Sequence, residues 1–245
     1  MSELGSLLLT LLRSTLGKSV SVEALNEALG YSPERLRSGL AVLEGKGLLS
    51  VVEGKVLMDE DQRVKAAMHA IASGCDSEVV SKALDWREFE GLSVLALRSA
   101  GYSTRTRFRF VSSERRREID VLALSEPRIL CLDCKHWRRA WQRSATERFV
   151  EAQIERVEAL SRELPVLVTK IGVSSWRQVQ LLPVLLTLSD TPYRVCSRVP
   201  VVSVFRLRGF LWDLPEYVDG LFKCQVSLED ASSENLHDRN GSLKT

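Results

Sequence analysis

Asp133 and Lys135 stand two residues apart at the end of an apolar run, Arg128 to Lys135 (RILCLDCK). In a β-strand alternate side chains share a face, so this carboxylate and ammonium project to the same side. Ile129, Leu130, Cys131 and Leu132 supply apolar side chains to both faces, as an interior strand requires. A charge in that setting is costly unless it is paired or holds a metal. Thirteen residues upstream, Asp120 lies in a second such run, Arg117 to Leu124 (REIDVLAL). Two carboxylates and an ammonium converging at the end of a hairpin suit a divalent-metal site for phosphodiester cleavage. The plainer alternative is a structural ion pair between Asp133 and Lys135. Glu118 shares a face with Asp120 and is an alternative ligand, although beside Arg115, Arg116 and Arg117 it reads as part of a charged rim.

The elements around these runs follow from periodicity and turn residues. Trp86 to Ala100 carries Phe89, Leu92, Leu95 and Ala96 as the buried stripe of a helix that stops at Gly101. Strands are predicted over Tyr102–Val111, Arg117–Leu124 and Arg128–Lys135. A helix over Ala145–Glu163 follows, with Phe149, Ala152, Val157 and Leu160 inward, then a buried strand over Pro165–Lys170. Further β-rich stretches cover Val179–Leu188 and Val199–Leu207, and Leu214–Phe222 is a closing helix. On the Thr104–Phe110 strand, Arg105, Arg107 and Arg109 fall on one face and Thr104, Thr106, Phe108 and Phe110 on the other.

Upstream, Leu4–Leu16 is an apolar helix, and Val22, Leu25 and Leu29 mark a second that stops at Gly30. Ser32-Pro33 starts a third, with Ser as N-cap and Pro at the first helical position; its stripe is Leu36, Leu40 and Leu43. Two β-prone runs, Leu48–Val52 and Lys55–Met58, are joined by Glu53-Gly54. Three helices and a small hairpin resemble a winged helix-turn-helix domain. In that fold the third helix enters the DNA major groove, where Arg35 and Arg37 would meet it; the same fold also serves as a protein-contact or dimerisation module. The expected division is a winged helix domain over 1–58, a helical linker over 59–85, an α/β domain with a mixed sheet over 86–228 and a disordered tail over 229–245.

The net charge of +2 does not by itself imply a nucleic-acid partner, but basic residues concentrate around the candidate site. Twelve lie between Arg105 and Arg148, all but Lys135 arginine, against six acids. Arginine suits bidentate phosphate contacts, whereas a charge run is ordinarily a solvated face. Lys135-His136-Trp137-Arg138-Arg139 and then Trp141 interleave rings with charge, a mixture that suits phosphate contact and base stacking; alternatively Trp137 and Trp141 anchor a helix start. Five cysteines, an odd number without disulfide spacing, read as reduced thiols of an intracellular, cytoplasmic protein, which a DNA partner would make nucleoid-associated. Cys131-x-x-Cys134 faces opposite ways on a strand and lacks a second pair for zinc. No apolar run spans a bilayer, so no membrane partner is expected.

The order helix, three strands, helix, strand, with carboxylates at set places, resembles the PD-(D/E)xK (restriction-endonuclease-like) nuclease superfamily. The residues that carry the resemblance are Phe89-Glu90, Gly101-Tyr102, Ile119-Asp120 and Asp133-Cys134-Lys135. The pattern is most similar to Mrr-type and archaeal Holliday-junction-resolvase-like nucleases, and covers Trp86 to Lys170. Ile119 stands where the motif has proline, and Asp133 where the Mrr-like group more often has Glu or Gln.

The resemblance implies a divalent-metal-dependent endonuclease acting on DNA, duplex or branched, in repair, recombination or restriction. Asp120, Asp133 and the backbone carbonyl of Cys134 would hold Mg²⁺ or Mn²⁺, and Lys135 would orient or deprotonate the attacking water. Glu90 would complete the metal shell, with Glu88, read as solvent-facing, as fallback; Gln153 matches a polar position loosely. Arg105, Arg107, Arg109, Arg138, Arg139, Arg35 and Arg37 would contact DNA. Partners beyond DNA would be a second copy of the chain, as a homodimer, or a repair or recombination protein. The rival readings are a DNA-binding regulator, or a structural subunit of a repair complex, with an inactive nuclease core.

Overall fold

A computed structural model describes residues 2–16, 19–135, 143–188 and 191–228. His136, Trp137, Arg138, Arg139, Trp141 and the predicted tail over 229–245 lie outside the described residues. The described residues up to Leu95 group into one compact unit, and those of 96–187 and from Thr191 onward into a second.

The first unit runs α1 (Glu3–Ser14), β1 (Val20–Ser21), α2 (Val22–Leu29), α3 (Pro33–Gly45), β2 (Ser50–Val52), β3 (Lys55–Leu57), α4 (Glu60–Ala72) and α5 (Ser77–Ser81), and includes the start of α6 (Trp86–Ser99). The three short strands form an antiparallel sheet in the order β1-β3-β2. Local chemistry sets the ends of these elements. The Ser32 side chain caps α3 with Pro33 in its first turn, and Gly30 closes α2 in the left-handed conformation. Glu53 and Gly54, at φ 50° and 71°, make the tight turn between β2 and β3.

Beneath them lies a buried ion pair. Arg63 on α4 pairs with Glu88 on α6, and donates to the Leu12 carbonyl at 2.8 Å, Thr15 Oγ1 at 2.6 Å and the Ala83 carbonyl at 2.7 Å. Glu88 and Asp85 also cap each other's backbone N–H, at 2.7 and 2.9 Å, fixing the start of α6. Glu88 is therefore buried, not solvent-facing. Its angular separation from Glu90 on the helix does not lead to solvent, because α4 brings a guanidinium to that side.

The second unit continues with β4 (Ser103–Ser112), β5 (Arg115–Ser125), β6 (Arg128–Lys135), α7 (Arg143–Ile171), β7 (Gln178–Thr187), β8 (Val195–Cys196), β9 (Val199–Ser203), α8 (Leu207–Tyr217) and β10 (Cys224–Ser227). Its seven-stranded sheet has the order β4-β5-β6-β7-β9-β8. β4, β5 and β6 form an antiparallel meander, and β6 runs parallel to β7, so the sheet is mixed. One edge of β7 is shared: β10 pairs with its first half and β9 with its last residues. α7 packs Val157, Leu160, Leu164 and Ile171 against Phe108, Phe110, Leu122, Ile129 and Cys131.

Two predicted elements are corrected here. Pro165–Lys170 is not a strand but the last turns of α7, which runs through Pro165. The spacing Val157, Leu160, Leu164, Leu167, Ile171 keeps one helix face apolar past the proline, and that burial outweighs the propensity cost. The strand that follows in the sheet is instead β7. The closing helix starts at Leu207 rather than Leu214, and takes in the end of the β-rich stretch read over Val199–Leu207.

Candidate active site

The last paired residues between β5 and β6 on this side are Val121 and Leu132. One residue beyond that pair on each strand come Asp120 and Asp133, near enough for the charge of Asp133 to act on Asp120. Asp120 Oδ2 accepts the Cys134 backbone N–H at 2.8 Å. Burial first, and then the charge on Asp133, push its pKa up to about 6, against the pull of that N–H, Lys135 and Arg156.

Asp133 is only 2% exposed, and its charge is met by two cations. Oδ1 accepts from Arg156 Nη1 at 2.6 Å and from Lys135 Nζ at 3.1 Å. Oδ2 lies 2.9 Å from Lys135 Nζ but accepts no hydrogen bond. Lys135 Nζ also stands 5.0 Å from the centre of the Phe149 ring on α7. Gln153, fully buried on α7, donates from Nε2 to the Cys131 carbonyl at 2.7 Å and accepts from Arg156 Nη1 at 2.7 Å.

The structure thus brings together Asp120, Asp133, Lys135 and Gln153, all read from the sequence, and adds Arg156. The signal for Arg156 was present: it lies three residues after Gln153, on the same helix face. Glu90 is buried on α6 within the first unit, whereas the two aspartates belong to the second.

The arginines of β4 do not share one face. Thr104 Oγ1 accepts from Arg98 on α6 at 3.0 Å, while Phe108 and Phe110 pack against α7. The alternation slips at Arg107, whose φ of 48° interrupts the ladder between Thr106↔Val121 and Phe108↔Ile119. Arg105 consequently lies over Gly172 at the end of α7, and Arg109 pairs with Glu118 across the ladder at 2.6 Å. In the first unit Arg35 pairs with Glu3 and stacks on Tyr31, while Arg37 is exposed.

Residues 81–169 match the Mrr_cat family, described as restriction endonuclease. An uncharacterized protein of Archaeoglobus fulgidus is 31% identical over 134 residues, which cover 54% of this chain and 94% of that protein. Over residues 81–169 this chain is therefore similar to restriction endonucleases. Two crystal structures are similar in part. AF1548, a protein of unknown function, is 14% identical with a TM-score of 0.27, over 53% of this chain and 60% of that one. VC1899 from Vibrio cholerae is 15% identical with a TM-score of 0.36, over 89% of this chain and 52% of that one. The chain thus spans less than two thirds of either structure.

Nucleases of this family generally use divalent metals, and the donor set fits one. Asp120 and Asp133 offer hard carboxylate oxygens from adjacent strands, and buried Asp133 Oδ2 accepts no hydrogen bond, its one near cation being Lys135 Nζ at 2.9 Å. Among the described residues no three His, Cys, Asp or Glu side chains converge. Mg²⁺ keeps several waters and needs only one or two carboxylates.

Proposed function

We propose that this protein is a divalent-metal-dependent endonuclease that hydrolyses DNA phosphodiester bonds in repair, recombination or restriction. The observation that carries this reading is the convergence of Asp120 and Asp133 beyond the last β5–β6 pair, with Lys135 on Asp133, inside the segment that matches restriction endonucleases. Asp120 and Asp133 would hold Mg²⁺ or Mn²⁺. Bound there, the ion supplies Lewis acidity to the phosphoryl oxygen and makes water a better nucleophile. Lys135, held between Asp133 and the Phe149 ring, is placed to orient the attacking water and to offset charge building on the phosphate. The Cys134 carbonyl and Glu90 remain the further ligands proposed by resemblance.

Phosphate contact is supported by a groove of about 590 Å³ in the second unit, lined by Arg109, Arg116, Arg117 and Lys170, where Glu118 pairs with Arg109 and Glu155 with Arg117. Phe110, Val111 and Leu167 complete its lining, so the groove combines charge with apolar surface. The first unit, with its order β1-β3-β2 and α3 exposed at Arg37, supports reading residues 1–58 as a winged helix that targets DNA or a protein partner.

A second reading is a DNA-binding or structural subunit with an inactive core. It is favoured by Asp133 being already neutralised by Lys135 and Arg156. One experiment separates the two: incubation with Mg²⁺ or Mn²⁺ and labelled duplex, single-stranded, forked and four-way-junction DNAs. The expected result is metal-dependent cleavage by the parent and none by Asp120→Asn or Asp133→Asn. An inert parent that still binds DNA selects the second reading.

A further inference from the structure

We infer that Arg156 is a positioning residue that, held by Gln153, fixes the Asp133 carboxylate so that Oδ2 is presented to a divalent cation. The inference rests on the proposed metal-dependent reading and adds a residue to it.

At the root of the arrangement is the fully buried amide of Gln153. Its Nε2 is committed to the Cys131 carbonyl at 2.7 Å, which ties α7 to β6 two residues before Asp133. With the amide plane set that way, Oε1 is left to accept Arg156 Nη1 at 2.7 Å. The same Nη1 reaches Asp133 Oδ1 at 2.6 Å. A carboxylate turns about one torsion, so holding Oδ1 also sets the direction of Oδ2. Oδ2 is buried and accepts no hydrogen bond, and the Lys135 ammonium 2.9 Å away marks it as the oxygen that faces positive charge. A carboxylate that ligates a metal is ordinarily held in this way by a neighbour, and loss of the neighbour costs about 10–100-fold in metal affinity or activity.

Two other roles for Arg156 predict different results. A merely structural ion pair would stabilise the fold and leave cation affinity alone. A competitor for the carboxylate would weaken cation binding, so that its removal would tighten it. The sign of the change in affinity therefore decides between the three.

The test is calorimetric titration of the full chain with Mn²⁺, without DNA, alongside thermal melting with and without the ion. Arg156→Gln is expected to weaken Mn²⁺ binding by about 10–100-fold, and to shrink the melting shift that Mn²⁺ produces. Arg156→Lys, which keeps the charge and a donor, is expected to lose less, and Gln153→Met to fall between the parent and Arg156→Gln. These two variants carry the test if Arg156→Gln does not fold. Unchanged or tighter binding overturns the inference while leaving the nuclease reading intact. A parent that binds no Mn²⁺ overturns both, and cleavage of labelled DNA by the parent tests the nuclease reading separately.

Discussion

Asp120 carries the most informative charge in the molecule. Its carboxyl titrates near 6 in the folded chain against 3.8 for the ordinary side chain, because burial and Asp133 oppose its ionisation. Between those values the folded state holds more protons than the unfolded one, so its contribution to stability falls as pH rises through the window. Asp120→Asn is therefore expected to raise the melting temperature of the metal-free protein at neutral pH, with the gain vanishing below about pH 4. Adding Mn²⁺ should reverse the order, because only the parent regains charge balance by binding it. Affinity for Mn²⁺ should rise with pH through about 6, because the ion binds the ionised Asp120 carboxylate. Lys135→Ala should lower turnover by about 10²–10³-fold, since its charge acts on the transition state. A Mn²⁺ affinity that stays flat across this window would remove Asp120 from the metal site. At this scale the sequence was informative wherever one strand alone positions two groups. Asp133 and Lys135 needed only the period of a strand. Arg156 was missed because its role exists only once α7 lies over the end of β6.

At the scale of elements, legibility depended on how far the evidence for a boundary lay from it. β6 begins and ends at the predicted residues, since apolar side chains on both faces leave one register. The β4–β5 turn was less visible, because Ser113 and Glu114 adopt φ of 50° and 62° without the Gly or Asn that would announce it. α7 was cut short at Pro165, where local propensity argued for a stop and packing against the sheet argued for continuation. Glu88 shows the same limit, since nothing in the spacing of α6 announces a partner on α4. That buried pair yields a firm expectation. Arg63→Ala leaves Glu88 charged and buried, and strips the Leu12 and Ala83 carbonyls and Thr15 of a donor. The loss should be about 3–5 kcal/mol, read by chemical denaturation. A loss under about 1 kcal/mol, the value of a surface pair, would mean that the pair is solvated.

For the whole molecule, the distribution of charge matters more than its sum. A net charge of +2 gives little long-range pull on a polyanion. Contact with nucleic acid must come from clusters such as the groove of Arg109, Arg116, Arg117 and Lys170. Binding driven by such a cluster displaces counterions, so affinity for duplex DNA should fall steeply with salt. Arg116→Gln combined with Lys170→Gln should make the log–log slope shallower by about 2, near one for each phosphate that is no longer neutralised. Anisotropy titrations across a salt series measure this directly, and an unchanged slope would place the DNA elsewhere. No helix among the described residues is long and apolar enough to cross a membrane.

The shared edge of β7 has a consequence for synthesis. Its first half, Gln178–Leu181, finds its outer partner only in Cys224–Ser227, more than forty residues later in the chain. A ribosome making this protein therefore exposes a half-zipped, apolar edge until its last described strand has emerged, and nascent strands pair with whatever edge they meet. A chain stopped after Phe222 should retain Asp120, Asp133 and Lys135 in place yet collect as aggregates. Supplying the missing strand as a separate peptide should restore part of its solubility.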